Sequence, residues 1–255
     1  MRFKIKHLLF TLLFIFAVPP ANAENPCATI TPDDITRHVP VSGAIISKQN
    51  VNGICEVILK IRQEYVPVYV TPDFVIAGEM FQDKKQITKN RIDKLKEKNF
   101  ILYKKSLDQC VSMKYKPQGD IKQTVYMITD PECPYCDRAA KKIKKIAENY
   151  QAEVKIILHG VHGQAGRGKV IEAICRNLDF DQYTNKNWIK ENKTNEYQCG
   201  TGTARLKQTE KIIKNLGITG VPIFYLRSGK KIVGANMPAL IKALNSEKLR
   251  VDDAD

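Results

Sequence analysis

The sequence predicts an α/β protein preceded by a small, mainly β domain. Short β-rich runs separated by turn residues extend to about residue 86. A lysine-rich stretch then leads into a region whose predicted order is strand, helix, strand, several helices, hairpin and helix, which is typical of an α/β fold. The length of 255 residues is sufficient for two modest domains.

Residues 1–23 have the features of a cleaved secretory signal. Arg2, Lys4 and Lys6 precede an apolar run at residues 8–18, and residues 21–23 read Ala-Asn-Ala, a small-residue cleavage pattern. The run is too short for a membrane anchor, which needs about 20 apolar residues. We therefore expect an exported, soluble protein.

The formal net charge of the chain is +14. Its lysines are scattered evenly, which favours a solvated surface, although attraction to anionic membranes or acidic partners is an alternative. The sequence has no zinc-finger spacing and no RNP-like aromatic motif, so no nucleic acid partner is expected.

The first predicted domain spans residues 24–87. Its β-rich runs are residues 43–46, 54–61, 66–70 and 74–77, and Asn52-Gly53 suits the turn of a hairpin. A domain of this size has a small core and would gain from a cross-link, which Cys27 and Cys55 could supply.

Residues 88–99 are predicted to form a linker helix, because Ile92 and Leu95 give an otherwise charged stretch only a thin apolar stripe. The second domain follows at residues 100–255. Its predicted strands are residues 100–103, 124–129, 154–158, 222–226 and 231–233. Its predicted helices are residues 134–149, a helical insertion at about 164–216, and a last helix from residue 237.

Cys133 and Cys136 lie where a buried strand is predicted to meet a helix. Pro134 suits the first helical position, which places Cys133 at the N-cap, where free N–H groups and the helix dipole stabilise a thiolate. Zinc would need a second ligand pair, and a purely structural bridge of this length would add little stability. We predict a redox centre with Cys133 as nucleophile and Cys136 as resolving cysteine, opposed in part by Asp130 and Glu132.

Cys133-Pro-Tyr-Cys136, together with Gly220-Val-Pro222 before a strand, resembles a thioredoxin fold with its cis-proline loop. With the signal, the β domain, the linker helix and the helical insertion, the chain is similar to the DsbC/DsbG family of periplasmic disulfide isomerases. The resemblance implies a thioredoxin-like α/β catalytic domain with a helical insertion, and a small α+β dimerisation domain in front of it.

The resemblance also implies a periplasmic homodimer that acts on misfolded, disulfide-containing client proteins and is kept reduced by a membrane reductase of the DsbD type. No cofactor and no metal are expected. By the same resemblance, a structural disulfide joins Cys175 to Cys199. The client-binding residues it implies are Pro134, Tyr135, Val221 and Pro222.

Two functional alternatives remain open. Val221 stands where the family usually has threonine. The oxidase DsbA also has valine at this place, so a DsbA-like dithiol oxidase is one alternative. A DsbG-like chaperone with secondary redox activity is the other. In the first domain, Cys27–Cys55 is the preferred bond, although either cysteine could pair with Cys110 instead.

Two further patterns suggest other chemistry. Residues 163–169 fit G-x-x-x-x-G-K, but Val170 replaces the Ser or Thr that a P-loop uses to hold magnesium, so a flexible start of the insertion is predicted instead. His159 and His162 have no acidic partner nearby in the sequence, and they are predicted to lie in a solvated turn.

Overall fold

The fold is described from a computed structural model, which covers residues 25–191 and 193–252. The expected signal segment at residues 1–23 lies outside the described residues. The first part of the chain contains α1 (Pro32–Thr36), β1 (Ala44–Val51), β2 (Ile54–Ile61), β3 (Glu64–Val70), β4 (Val75–Ala77), β5 (Phe81–Gln82) and β6 (Lys85–Gln86). The second part contains α2 (Ile87–Asp108), β7 (Met113–Tyr115), β8 (Gln123–Thr129), α3 (Pro134–Tyr150), β9 (Ala152–Leu158), α4 (Gly163–Cys175), α5 (Phe180–Asn185), α6 (Asn187–Lys190), α7 (Gly200–Asn215), β10 (Ile223–Leu226), β11 (Lys231–Val233) and α8 (Met237–Asp252).

Strands β1 to β4 form an antiparallel sheet in chain order. Asn52 and Gly53 connect β1 to β2 with φ of 51° and 85°, the positive values that a two-residue hairpin of this kind requires. Period-two alternation buries Val57 and Leu59 of β2 with Val68 of β3 in one small core. Each of the four β-rich runs in the sequence therefore overlaps a strand of this sheet.

A disulfide joins Cys27, in the segment before α1, to Cys55 on β2. Both cysteines are buried in the small core of the first sheet. The bond spans 28 residues of sequence, and restraint of the unfolded chain over such a loop contributes about 3–4 kcal/mol. The short α1, which sequence patterns did not predict, places Ile35 over the same core.

Helix α2 is longer than the predicted linker and includes residues 100–103, which were wrongly predicted to be a strand. Phe100 and Leu107, two turns apart, are fully buried, and Phe100 stacks on Tyr225 of β10 with ring centroids 4.4 Å apart. Leu102, in contrast, is 79% exposed. The run has β propensity, but helical packing on the second sheet overrides it. The second half of α2 therefore belongs to the hydrophobic core of the second sheet.

Glu56 on β2, only 2% exposed, attaches the first sheet to the first half of α2. Its carboxylate accepts hydrogen bonds from Tyr69 at 2.9 Å and from Arg91 of α2 at 2.5 Å. Thr88 of α2 completes the cluster by bonding to Tyr69 and accepting from the Met80 N–H. A buried network in which each member has partners fixes orientation, so α2 connects the two sheets rigidly.

The second sheet has the strand order β11-β10-β8-β9-β7. Strands β8 and β9 are parallel and α3 is their crossover, whereas β7, β10 and β11 run antiparallel to their neighbours. The central β8 is buried on both faces, as its continuous apolar run predicts. Since β8 and β9 are parallel, their carboxyl ends meet at one edge, where α3 and α4 begin.

Helices α4 to α7 lie in the predicted insertion, and a disulfide joins Cys175 at the end of α4 to Cys199 at the N-cap of α7. Residues 163–169 were predicted to be a flexible start of the insertion, but they form the first two turns of α4. Their glycines allow close packing, because a Cβ on Gly166 would lie 3.3 Å from the Asp130 carboxylate. Within the described ranges, no helix has the length and apolar composition needed to cross a membrane.

Candidate active site

Cys133 lies between the carboxyl end of β8 and the first turn of α3. It is the N-cap, its carbonyl accepts the first helical hydrogen bond from the Asp137 N–H at 3.1 Å, and Pro134 is the first helical residue. The free N–H groups of the first turn and the positive end of the helix dipole therefore lie next to the sulfur. This is a position that stabilises a thiolate.

The opposite side of Cys133 faces the loop before β10. The Val221–Pro222 peptide is cis, and the carbonyl oxygen of Val221 lies 3.8 Å from Cys133 Sγ. Cys133 is 5% exposed, whereas the neighbouring Pro134 is exposed and Tyr135 is 60% exposed. Of the four residues expected to bind a client, Pro134 and Tyr135 thus follow Cys133 in the first turn of α3, and Val221 lies beside its sulfur, directly before Pro222.

Cys136 lies one turn into α3, only 1% exposed, and both cysteines are free thiols. Burial raises the pKa of the Cys136 thiol to about 12, although the Thr129 hydroxyl and the Asp130 N–H, the latter at 3.5 Å, donate to its sulfur. Behind Thr129, the buried Tyr183 hydroxyl of α5 lies 3.5 Å from Oγ1. The two buried cysteines therefore differ in position: Cys133 lies at the helix N-terminus beside the Val221 carbonyl, and Cys136 lies one turn further into α3.

Asp130 has a fully buried carboxylate that joins the loops following β8 and β9. Oδ1 accepts from the Glu132 N–H at 2.7 Å, and Oδ2 accepts from the Val161 N–H at 2.6 Å and the His162 N–H at 3.2 Å. His162 Nδ1 lies 2.8 Å from Oδ2. Since His162 is the N-cap of α4, the carboxylate fixes the two residues that lead into that helix from the active-site loop.

His162 is exposed in a turn, as predicted, but the prediction that the two histidines have no acidic partner was wrong, because His162 lies beside Asp130. Asp130 is about 30 positions away in the sequence but adjacent in space, because the carboxyl ends of β8 and β9 meet. His159 is largely buried, and burial lowers its pKa. Knowing that β8 and β9 are parallel neighbours would have identified Asp130 as the partner of His162. The two histidines alone did not indicate it.

The helical insertion also contacts the active-site helix. Lys186, between α5 and α6, donates to the Pro131 carbonyl at 2.9 Å and pairs with Asp137 of α3 at 2.8 Å. These contacts join the insertion to both sides of Cys133. Nothing in the sequence pattern around Lys186 or Tyr183 indicated a role at the site, since each lies about 50 residues from the cysteines.

The remaining cysteines lie away from this site. Cys175 forms a disulfide with Cys199, as the resemblance implied. Cys27 forms a disulfide with Cys55, which was the preferred pairing. Cys110 is a free, fully buried thiol behind the second sheet. Among the described residues there is no cluster of three or more His, Cys, Asp or Glu side chains arranged to hold a metal ion.

Several solved bacterial proteins are similar to this chain. A linker-deletion variant of Proteus mirabilis ScsC is 19% identical with a TM-score of 0.51, covering 64% of this chain and 87% of its own. The same protein in a compact conformation is 17% identical with a TM-score of 0.50, covering 65% and 91%. Helicobacter pylori DsbG is 15% identical with a TM-score of 0.41, covering 76% and 98%. At these identities the likeness concerns the fold.

No curated protein matches the chain. Residues 112–247 match the family model of the thioredoxin-like domain, and this range contains both active-site cysteines and the cis-proline loop. The matched range covers more than half of the chain. By its sequence and by its second sheet, the chain belongs to the thioredoxin-like family.

Proposed function

We propose that this protein is a periplasmic thiol–disulfide isomerase and reductase of the DsbC/DsbG type, with Cys133 as the attacking cysteine. The observation that carries the proposal is the difference between its two thiols. Cys133 lies at a helix N-terminus beside the Val221 carbonyl, whereas Cys136 is enclosed and its pKa is raised to about 12.

In the first step, the Cys133 thiolate attacks one sulfur of a client disulfide. A bond forms between Cys133 Sγ and that sulfur, the client S–S bond breaks, and the other client sulfur leaves as a thiolate. The N-terminal N–H groups of α3 stabilise the negative charge before the attack. Pro134, Tyr135, Val221 and Pro222 would contact the client around the mixed disulfide.

The second step has two outcomes. If another client thiolate attacks the mixed disulfide, Cys133 is released as a thiolate and the client is isomerised with no net electron transfer. If Cys136 loses its proton and attacks Cys133 Sγ, the client leaves as a dithiol, and Cys133–Cys136 becomes a disulfide that has given up two electrons. A reductase of the DsbD type would return these electrons.

The high pKa of Cys136 favours the first outcome. At neutral pH a thiol with a pKa of about 12 is almost entirely protonated, and the thiolate is the attacking species. Because burial is the largest cause of this raised pKa, we expect Cys136 to attack the mixed disulfide slowly and to leave time for the client to rearrange.

Dimerisation is proposed to occur through the first sheet. Its edge strand β4 carries Ile76, 52% exposed, and the neighbouring Phe74 and Phe81 are 50% and 60% exposed. Apolar side chains beside an open strand edge form a surface that a second copy can cover. Two copies joined there would place two active sites on one molecule.

Refolding of a scrambled multi-disulfide protein in a glutathione buffer tests the proposed chemistry. We expect wild type to restore client activity, Cys133→Ser to be inactive, and Cys136→Ser to retain shuffling but accumulate mixed disulfides visible by non-reducing electrophoresis. Activity of wild type only on a fully reduced client, with no reshuffling, would instead identify an oxidase. Full activity of Cys133→Ser in preventing aggregation alone would favour a chaperone.

Light scattering tests the dimer. We expect wild type to have twice the mass of one chain and Ile76→Asp to be monomeric with unchanged circular dichroism. Ile101→Asp, which changes another exposed isoleucine on α2, is the matched control and should remain dimeric. A monomeric wild type would remove the dimer from the proposal.

A further inference from the structure

A groove of about 300 Å³ lies between the first sheet and the cis-proline loop. We call it the seam groove. One wall is the β2–β3 hairpin at residues 63–65, the floor includes Lys96 of α2, and the other wall is formed by residues 216–223 with Lys231, Val233 and Gly234. Two domains of one chain therefore enclose it.

The hairpin is held against the loop by a close backbone contact. Gly217 follows the end of α7 with φ of +62°, and a Cβ there would lie 2.9 Å from the Gln63 carbonyl oxygen. Glycine satisfies both demands at this position, the left-handed backbone and the close approach. This contact therefore holds the hairpin wall of the seam groove against the opposite wall.

The seam groove shares the cis-proline loop with the active site. Val221 and Pro222 line it, and the Val221 carbonyl is the group that lies 3.8 Å from Cys133 Sγ. A client cysteine bonded to Cys133 would thus have its neighbouring residues at the mouth of the groove. Gln63 lines the same groove, and its Oε1 is buried and has no hydrogen-bond partner within the described part of the chain.

The charges of the seam groove are unbalanced. Lys96 and Lys231 both line it, and within the described part of the chain neither has a carboxylate within 4 Å. Burial and the nearby Lys96 both lower the pKa of Lys231, while Glu64, the acidic residue lining the groove, partly opposes them. A ligand carboxylate between the two ammonium groups would relieve their repulsion.

The same groove has apolar walls. Val233 on the edge strand β11 is 66% exposed, and Tyr65 faces it from the hairpin side. We propose that the seam groove binds the client segment next to the attacked cysteine and selects extended segments that carry acidic side chains among apolar ones. This inference rests on the proposed function in one respect, namely that Cys133 is the cysteine a client reaches.

Binding of thiol-free peptides tests the groove without the chemistry. The probes are two short rhodamine-labelled peptides in which serine replaces the central cysteine. The acidic peptide carries a valine and two flanking aspartates. The basic peptide is the same except that two lysines replace the aspartates. By fluorescence anisotropy, we expect wild type to bind the acidic peptide about three- to tenfold tighter at low salt, with the difference shrinking at high salt.

The variant Lys96→Gln/Lys231→Gln should lose this preference. The control Lys105→Gln/Lys122→Gln removes the same charge from two exposed lysines outside the groove and should keep it. Equal affinity of wild type for both peptides, or a preference that survives in the groove variant, would overturn the inference. Failure of the refolding assay beside an intact acidic preference would instead reject the proposed chemistry and leave the groove standing.

Discussion

Replacement of Asp130 by asparagine tests how the active-site loops are held together. The carboxylate, which is itself fully buried, accepts from three backbone N–H groups and lies next to the His162 ring. Asparagine can keep one acceptor for Glu132. Its NH₂ group must then face the Val161 and His162 N–H groups, because those donors now surround Oδ2.

The magnitude follows from these contacts. A hydrogen bond to a charged group contributes about 1.5–3 kcal/mol, and a buried donor left unpaired costs about 1–3 kcal/mol. Two such bonds are lost in Asp130→Asn, and partial relaxation of the exposed side of the loop reduces the sum. We expect the free energy of unfolding to fall by about 2–4 kcal/mol.

Equilibrium urea unfolding of the dithiol form measures this change. Trp188 is the sole tryptophan and is buried in the insertion of the same domain, so its fluorescence reports the unfolding directly. Asp181→Asn makes the same substitution in an exposed ion pair with Lys144 and should leave the midpoint nearly unchanged. If Asp130→Asn shifted the midpoint no more than this control, the carboxylate would not be holding the two loops.

Three further predictions concern the thiols and their surroundings. Iodoacetamide at pH 7.5 should alkylate Cys133 alone in the native dithiol, because Cys136 remains protonated below its pKa of about 12. Mass spectrometry measures the labelling, and equal labelling of both cysteines would contradict the assignment of Cys133 as the nucleophile. Tyr183→Phe should change the alkylation rate of Cys136 at pH 10 while leaving that of Cys133 unchanged, since the hydroxyl reaches Cys136 only through Thr129. Cys175→Ser should lower the free energy of unfolding by about 3 kcal/mol in urea, from the loss of a cross-link spanning 24 residues, and an unchanged midpoint would show that the bond constrains little.

The sequence predicted the parts of this fold that local patterns determine. The β-rich run of β2, the Asn52-Gly53 turn and the continuous apolar run of β8 each specify an element without reference to the rest of the chain. The amphipathic pattern and Pro134 likewise predicted α3 from its first residue. These elements were sufficient to place the two cysteines at a strand-to-helix junction.

Residues 100–103 illustrate what local patterns miss. Aromatic and β-branched residues in that run favour a strand, and only the position of Tyr126 and Tyr225 beneath Phe100 makes a helix the better arrangement. Asp130 illustrates the same limit for the site. Its position suggested repulsion of a thiolate, whereas its donors come from a loop about 30 residues later.

The contacts around the cysteines also explain why this chain needs more than the second sheet to form its cleft. From one side, Lys186 of the insertion bonds to Pro131 and Asp137 on either side of Cys133. From the other side, the Gln63 carbonyl contacts Gly217 just ahead of the cis-proline loop. Neither contact touches a reacting sulfur, but each positions one of the two loops between which a client must fit. The distance between those loops therefore depends on both the insertion and the first domain, so changes in either should alter client selection before they alter the chemistry of Cys133.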